Sequence, residues 1–253
     1  MNGSRFSVDG KTVIVTGASR GIGRAVADGF VAAGANVAFV ARSDSILDVA
    51  TPETAVRVHS IQCDVTDDGA AERICRETAE RFGNINVLVN NAGVTLPGED
   101  TLSDSVWDRT FDVNLKSAFQ LSCAVAEVMR EADRGGSIIN IASIGAMLGF
   151  PGNPSYQAAK GGLRQLTKAL ACDWGTIGIR VNVICPGYIR TEMTAGSYAD
   201  PQLQADRTNR TMLGRWGEPD DLVGPCLFLA SDASAYMTGC ELPVDGGWTA
   251  KGL

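Results

Sequence analysis

Thr16-Gly17-Ala18-Ser19-Arg20-Gly21-Ile22-Gly23 is the stretch that decides the fold of this 253-residue chain. The apolar run before it, Lys11–Thr16, is typical of a β-strand, and the pattern after it, Gly21–Ala33, is typical of a helix. Glycines between a strand and a helix let the backbone turn tightly and approach a diphosphate, which then faces the free N–H groups of the helix N-terminus. We predict a dinucleotide-binding turn here. The alternative is a glycine-rich turn that binds no ligand.

Short apolar runs alternate with longer helical patterns along the rest of the chain. Apolar strands separated by helices are typical of a parallel sheet covered on both faces, with ligands bound at the carboxyl ends of the strands. We predict an α/β fold: a single doubly wound, Rossmann-type domain over residues 1–253 with a seven-stranded parallel sheet. The other predicted strands are Asn36–Ala41, Val56–Gln62, Val87–Asn90, Ser137–Ile141, Arg180–Ile184 and Leu242–Val244, and the other predicted helices are Asp67–Phe82, Asp104–Arg130, Ser155–Thr176 and Pro219–Ala230.

Residues 190–217 form the longest stretch without a clear period, and they contain glycine, proline and many polar side chains. In a compact domain, a long segment of this kind is often a lid over the binding site. We therefore predict that residues 190–217 are the substrate lid.

Charge and composition argue against several classes of function. With 22 basic and 29 acidic residues, a net charge of −7, the chain lacks the broad positive field that attracts nucleic acids or anionic membranes. No apolar run reaches the length of about 18 residues that would span a membrane, and residues 1–11 lack the apolar stretch of a signal peptide. The seven cysteines are scattered, and His59 is the only histidine, remote from the other motifs. We expect a cytoplasmic protein whose partner is a small-molecule substrate, with no nucleic acid, no membrane and no metal.

The end of the second predicted strand bears on the choice between two nicotinamide cofactors. A carboxylate there would hold the ribose 2′-hydroxyl of NAD, but residues 39–43 (FVARS) contain none. Arg42, with Arg20 from the glycine turn, can clamp the 2′-phosphate of NADP instead. The sequence therefore favours NADP and leaves NAD as the alternative, in which both arginines are ordinary surface charges.

A serine, a tyrosine and a lysine follow the fifth predicted strand. Tyr156 and Lys160 are four residues apart early in a helical pattern, so they share one helix face. An adjacent ammonium and an oxidised nicotinamide both lower the pKa of a tyrosine from its ordinary value of about 10, which makes it a better base. Ser143 can donate a hydrogen bond to a substrate oxygen as charge develops there. Taken alone, the pattern also fits a surface Tyr–Lys pair beside a turn serine.

These motifs together make the chain similar to the one-domain short-chain dehydrogenase/reductases, over essentially its whole length. The resemblance implies an NAD(P)-dependent oxidoreductase that moves a hydride between the cofactor and a secondary alcohol or ketone. The matching motifs are Thr-Gly-x-x-x-Gly-x-Gly at Thr16–Gly23, Asn-Asn-Ala-Gly at Asn90–Gly93, the helix asparagine at Asn114, Ser…Tyr-x-x-x-Lys at Ser143, Tyr156 and Lys160, and Pro-Gly at Pro186-Gly187.

The resemblance also implies roles for individual residues. Tyr156 is the acid/base, Lys160 lowers its pKa and holds the nicotinamide ribose, and Ser143 polarises the substrate oxygen. Asn114 is expected to hold a water that links Lys160 to solvent, which completes the catalytic set. The predicted cofactor-binding residues are Gly17, Ser19, Arg20, Gly21, Ile22, Gly23, Arg42, Asp64, Val65, Asn91, Ala92, Gly93, Tyr156, Lys160, Pro186, Gly187, Ile189 and Thr191.

Two further residues have implied contacts. Asp64 resembles the residue that contacts the adenine, and a helix-capping carboxylate is the alternative for it. Asn90 resembles the asparagine that braces the central sheet. The family also implies a homotetramer, with residues 104–130 and 155–176 forming one interface and residues 242–253 another.

The substrate is less well defined by the sequence. Residues 214–219 and 244–248 are similar to members acting on sugar acids and polyols, although related endings occur in 3-oxoacyl-carrier-protein reductases. Sugar-acid members often carry basic residues after Asn-Asn-Ala-Gly, whereas Val94–Pro97 has no cation.

We expect a small carbohydrate-derived polyol, ketose or sugar acid, with a neutral compound at least as well suited as an acid. A 3-oxoacyl-carrier-protein reductase and a non-catalytic nicotinamide-binding regulator are the alternatives. Candidate substrate walls are Met147, Leu148, Phe150 and residues 190–212.

Overall fold

The computed structural model describes residues 4–96, 100–133 and 135–252. Its seven strands form one parallel sheet in the order β3-β2-β1-β4-β5-β6-β7, which confirms the predicted doubly wound α/β fold. The strands are β1 (Thr12–Thr16), β2 (Asn36–Ala41), β3 (Val58–Gln62), β4 (Val87–Asn90), β5 (Gly136–Ile141), β6 (Ile179–Pro186) and β7 (Glu241–Val244).

The order of the strands reverses at β1, which pairs with β2 on one side and with β4 on the other. Val15 is the register partner of Phe39 on β2 and of Val89 on β4. A crevice therefore opens at the carboxyl ends of β1 and β4, which is where doubly wound sheets bind their ligands. The side chain of Asn90 donates hydrogen bonds of 2.9 Å to Asn140 on β5 and to Ser122, in the brace that the family resemblance implies.

Helices cover both faces of the sheet. The helices are α1 (Gly21–Ala32), α2 (Ala70–Phe82), α3 (Asp104–Phe111), α4 (Ser117–Glu131), α5 (Pro154–Trp174), α6 (Ala195–Ala199), α7 (Pro201–Arg210) and α8 (Val223–Ala230). Because alternate strand residues point to opposite faces, Val13 and Val15 pack in one buried cluster with α1 and α8, whereas Ile14 packs in another with α2, α4 and α5.

Several predicted elements end within three residues of their observed bounds, and the helix predicted over Pro219–Ala230 begins as a 3-10 turn at Pro219–Leu222. Two segments differ more. The single helix predicted over Asp104–Arg130 is divided into α3 and α4 by a π-helical turn at Asp112–Lys116. A π-helical turn contains about one residue more than an α-helical turn, so it changes the direction of the side chains beside it. Periodicity alone does not predict this change. The segment of residues 190–217 contains α6 and α7, and α7 has a readable signal, since Asp200 caps its first N–H groups and Pro201 follows.

Two smaller features complete the description. His59 on β3 packs edge-on against Phe82 with ring centroids 6.4 Å apart, and burial lowers its pKa, as expected for a structural residue. Across the described ranges, no helix combines the length and the apolar character needed to cross a lipid bilayer.

Candidate active site

The glycine turn between β1 and α1 has the geometry of an anion cradle. Gly17 and Gly21 have φ angles of +67° and +56°, in the left-handed region that favours glycine. A Cβ on Gly23 would overlap the Gly17 carbonyl oxygen. Arg20 is the N-cap residue of α1 and makes no side-chain hydrogen bond to the helix, so the first N–H groups remain free for a ligand. These observations fit the diphosphate of a dinucleotide.

The Asn-Asn-Ala-Gly motif supports this turn from the end of β4. The Thr16 hydroxyl accepts hydrogen bonds of 3.0 Å from the N–H groups of Asn91 and Ala92. The Asn91 side chain donates to the Thr16 carbonyl oxygen at 2.9 Å. Asn91, which was predicted to bind the cofactor, therefore uses its amide to hold the turn in place. Sequence analysis included Thr16 in the glycine-turn motif but gave its side chain no role, and its position at the end of β1 next to the first glycine was a usable signal.

The two arginines predicted to select NADP both face carboxylates. Nη1 of Arg20 lies 2.6 Å from the Glu192 carboxylate, and Nη1 of Arg42 lies 3.9 Å from the Asp64 carboxylate. Both arginine side chains are more than half exposed, at 69% and 59%. Exposed ion pairs of this kind contribute little free energy, so a phosphate can compete for either guanidinium.

Asp64 has a local structural role as well. Its carboxylate accepts hydrogen bonds from the N–H and the hydroxyl of Thr66, at 3.0 and 2.8 Å. The helix α2 begins later, after Gly69 in the left-handed conformation, so Asp64 caps a turn and not the helix. The following residue, Val65, packs against the core.

Three of the four predicted catalytic side chains, Ser143, Tyr156 and Lys160, come together at the carboxyl end of β5. Ser143 follows this strand and accepts a hydrogen bond of 3.0 Å from the Gly145 N–H. Tyr156 lies in the first turn of α5, and Nζ of Lys160 is 5.9 Å from the centroid of its ring. Lys160 is 3% exposed, and its ammonium donates to the Ile141 carbonyl oxygen at 2.8 Å.

Burial dominates the ionisation of this group. It raises the pKa of the Tyr156 phenol, and a hydrogen bond with Ser143 opposes that effect. It also lowers the pKa of Lys160 to about 8. Because the phenol is neutral in the free protein, Tyr156 is ready to donate a proton. The lowering of the Tyr156 pKa that we predicted is therefore not seen in the free protein, where burial outweighs the effects that favour the phenolate.

Asn114 is placed by the π-helical turn between α3 and α4. Its side-chain amide donates to the Val94 carbonyl oxygen at 2.9 Å and accepts from the Val94 N–H at 2.8 Å. A Cβ on Gly93 would lie 3.0 Å from Oδ1 of Asn114 and 3.5 Å from Nζ of Lys160. A side chain at position 93 would therefore press on the Asn114 amide, and glycine avoids that contact.

A cavity of about 430 Å³ lies beside Ser143, Tyr156 and Lys160, and Ile22 from the glycine turn also lines it. Predicted residues from both halves of the chain line it. Of the predicted substrate walls, Phe150 lines it, and so do Met193, Thr194, Ser197 and Arg207 from residues 190–212. Met147 instead packs against a buried cluster, and Leu148 is 38% exposed. Thr95 and Leu96 line the cavity, whereas Pro97 lies outside the described residues. The predicted site residues in the lining are Ile22, Asn91, Gly93, Ser143, Tyr156, Lys160, Pro186, Gly187, Ile189 and Thr191.

Comparison with known proteins agrees with this geometry. Residues 17–249 match the family described as enoyl-(acyl carrier protein) reductase. The 2-dehydro-3-deoxy-D-gluconate 5-dehydrogenase of Pseudoalteromonas atlantica is 40% identical, over 98% of this chain and 99% of that protein. The chain belongs to the short-chain dehydrogenase/reductase family. It is therefore an NAD(P)-dependent enzyme that transfers a hydride between the cofactor and a secondary alcohol or ketone.

Other short-chain dehydrogenase/reductases are comparably similar. The galactitol 2-dehydrogenase (L-tagatose-forming) of Cereibacter sphaeroides is 39% identical, over 96% of this chain and 97% of that protein. A gluconate 5-dehydrogenase from Burkholderia cenocepacia, solved in complex with NADP and tartrate, superposes with a TM-score of 0.89 at 34% identity, covering 98% of each chain.

Tyr188 and Arg207 line the cavity of this short-chain dehydrogenase/reductase, although sequence analysis gave neither an individual role. Arg207 was predicted only as part of the substrate wall at residues 190–212. Tyr188 follows β6 and is close enough to Tyr156 to raise its pKa further. Arg207 lies on α7, and its guanidinium carbon is 4.6 Å from the centroid of the Tyr188 ring. An aromatic residue directly after the Pro-Gly motif was a usable signal for Tyr188. No local pattern distinguished Arg207 from its neighbours, because residues 190–217 lack a clear period.

Proposed function

We propose that this enzyme interconverts a secondary alcohol and a ketone on a small carbohydrate-derived polyol, ketose or sugar acid, with NADP preferred over NAD. The observation that carries the proposal is the convergence of Ser143, Tyr156 and Lys160 on a cavity that adjoins the glycine turn. The similarity to dehydrogenases named for a deoxyketogluconate, for gluconate and for galactitol supports a carbohydrate substrate.

The chain's own residues then have defined tasks. In reduction, Tyr156 donates its phenolic proton to the substrate oxygen, and the Ser143 hydroxyl donates a hydrogen bond to the same oxygen. Lys160 holds a positive charge beside the phenol and stabilises the phenolate left behind. Asn114 keeps the Val94 segment beside Lys160. When bound, NADPH supplies the hydride.

The residues that would hold the cofactor follow the strand ends. The backbone of Gly17, Gly21 and Gly23 suits the diphosphate, and Asp64 with Val65 suits the adenine. Ile189 and Thr191 follow β6 and line the cavity. Thr191 also packs beside Gly21 of the glycine turn. Both residues therefore suit the nicotinamide.

A substrate panel tests the reaction. Alditols, aldonates, ketoses and an acetoacetyl thioester are each assayed with NADP and NAD in the appropriate direction. We expect turnover of carbohydrate compounds and none of the thioester, because the dehydrogenases that the chain matches at 39–40% identity are named for carbohydrate compounds. Turnover of the thioester alone would contradict the proposal and support an acyl-carrier-protein reductase.

The cofactor preference has its own test, Arg42→Asp. A carboxylate at this position repels a 2′-phosphate and accepts a hydrogen bond from a 2′-hydroxyl, so the ratio of kcat/KM for NADP to that for NAD should fall about 10- to 100-fold, as loss of a charge-assisted hydrogen bond predicts. Arg76→Asp, which reverses an exposed charge 4.0 Å from Glu80 on α2, is the matched control and should leave the ratio unchanged. A parent enzyme that already prefers NAD tenfold would refute our interpretation of Arg20 and Arg42.

We further propose that residues 190–217 act as the substrate lid. The ends of this segment are joined, because Arg190 donates to the Gly217 carbonyl oxygen and Gly217 to that of Tyr188, both at 2.9 Å. Between these ends, Met193, Thr194 and Ser197 line the cavity.

We propose a homotetramer as well. It is supported by Trp107 on α3 and Phe119 on α4, each 44% exposed in segments predicted to form an interface. The cytoplasmic location stays a prediction.

A further inference from the structure

A cation from the lid segment lines the cavity, and it has no polar partner within residues 4–96, 100–133 and 135–252. Arg207 on α7 lines the same cavity as Tyr156 and Lys160. Its Nη1 atom is buried and has no hydrogen-bond partner among the described residues. A buried guanidinium N–H without an acceptor is costly, so its retention at a binding cavity indicates that a ligand supplies the acceptor.

Aromatic faces, and not a carboxylate, hold this arginine. Its guanidinium carbon lies 4.6 Å from the centroid of the Tyr188 ring and 6.0 Å from that of Trp216. Stacking on a ring fixes the plane of a guanidinium and leaves its edge N–H groups free to donate. Two other arginines of this region differ, since Arg190 pairs with Glu218 at 2.8 Å and Arg215 pairs with Asp221 at 2.7 Å.

The charge of the cavity also indicates a ligand that supplies an acceptor for Arg207. Among the described residues that line it, Arg207 and Lys160 are the two basic side chains, and none is Asp or Glu. Lys160 already donates to the Ile141 carbonyl oxygen and borders the phenol of Tyr156. Arg207 is therefore the cation that remains for the charge of a bound molecule.

We propose that Arg207 binds a carboxylate of the substrate, so that the enzyme selects sugar acids over the corresponding neutral polyols. A guanidinium edge and a carboxylate match in plane and in spacing, which a single hydroxyl does not. The inference rests on the proposed function and deepens it. It also revises the expectation drawn from Val94–Pro97: the cation missing after Asn-Asn-Ala-Gly is supplied by the lid segment.

Matched pairs of compounds test the assignment. D-gluconate and D-glucitol differ only at C1, which is a carboxylate in one and a hydroxymethyl group in the other, and D-galactonate and galactitol form a second pair. We expect the parent enzyme to have the higher kcat/KM for the acids. Arg207→Leu should lower that value for the acids about 10- to 100-fold, as loss of a hydrogen bond to a charged group predicts, and leave the value for the alditols unchanged. For Arg207→Lys, the kcat/KM for the acids should lie between the value of the parent and that of Arg207→Leu.

Arg210→Leu is the matched control. Arg210 lies on the same helix, over the Trp248 ring at 5.5 Å, and is exposed and absent from the described cavity lining. This variant should have the parent's kcat/KM for both compounds of each pair. Thermal melting of all three variants, together with their unchanged alditol turnover, separates loss of a contact from loss of the fold.

A binding measurement keeps the assignment independent of turnover. Because Trp216 lies beside Arg207, titration with D-gluconate or tartrate should change the tryptophan fluorescence of the parent and not that of Arg207→Leu. Equal losses for acids and alditols in Arg207→Leu, or carboxylate binding retained by that variant, would overturn the assignment while the proposed function stands. Preference for D-glucitol 6-phosphate over D-gluconate would assign Arg207 to a phosphate instead and also overturn it. Failure of every carbohydrate as a substrate would reject the proposed function itself.

Discussion

Tyr156→Phe is expected to lower kcat by about 10²–10⁴, which is the usual contribution of general acid–base catalysis. The substitution keeps the aromatic ring in the first turn of α5 and removes only the phenolic oxygen, so it leaves packing intact. Ser143 and Lys160 do not take the place of that oxygen, since a serine hydroxyl is a very weak acid and Nζ of Lys160 lies 5.9 Å from the centroid of the ring. Steady-state kinetics in both directions measure the effect.

Cofactor affinity separates this loss from a structural one. The dissociation constant of NADP should be almost unchanged in Tyr156→Phe, because the phenol does not contact the diphosphate. Tyr236→Phe makes the same chemical change at a fully exposed tyrosine and should have no effect on kcat. If Tyr156→Phe retained half of the parent kcat, the assignment of Tyr156 as the acid/base would be wrong.

Lys160→Met is expected to impair catalysis and, in the free protein at pH 7, to raise the free energy of unfolding. Burial lowers the pKa of Lys160 from 10.5 to about 8, so holding its charge at pH 7 costs the folded state about 3 kcal/mol. Methionine has a similar length and no charge. It loses the hydrogen bond to the Ile141 carbonyl oxygen, which offsets about 1 kcal/mol of the gain.

The stability gain should depend on pH in a defined direction. Between about pH 8 and 10.5 the unfolded chain binds the Lys160 proton more tightly than the folded chain does, so the stability of the parent rises with pH in that window. The variant lacks this contribution. The difference between the two should therefore shrink by about 2 kcal/mol from pH 7 to pH 9.5.

Urea unfolding of the cofactor-free proteins at these two pH values measures the difference, and kcat with the NADP dissociation constant measures the loss of function. We expect weaker cofactor binding as well as a lower kcat, because Lys160 is proposed to hold the nicotinamide ribose. A variant that is less stable than the parent at pH 7, with the same deficit at pH 9.5, would show that Lys160 stabilises the fold instead.

Much of the fold and part of the site were determined by the sequence alone. The strands at Asn36–Ala41 and Val87–Asn90 have the predicted bounds, because short apolar runs between helices favour buried parallel strands whatever surrounds them. The glycine turn was likewise readable, since the left-handed conformation of Gly17 and Gly21 is a local property of the residue. The spacing of Tyr156 and Lys160 determined that they share a helix face, and the resemblance of the motifs assigned their roles.

Only the tertiary structure decided how the side chains are used. The π-helical turn that places Asn114 arises inside a region whose periodicity predicts one continuous helix. Asn91 donates to Thr16 and thereby supports the turn, a task that depends on β1 and β4 being neighbours in the sheet. Arg207 faces the cavity because α7 packs against Tyr188, in a contact between elements remote from the glycine turn. Periodicity and backbone preference act over a few residues, whereas the partner of a side chain is set by elements distant in sequence that pack together. That packing brought Arg207, in addition to Lys160, to the cavity.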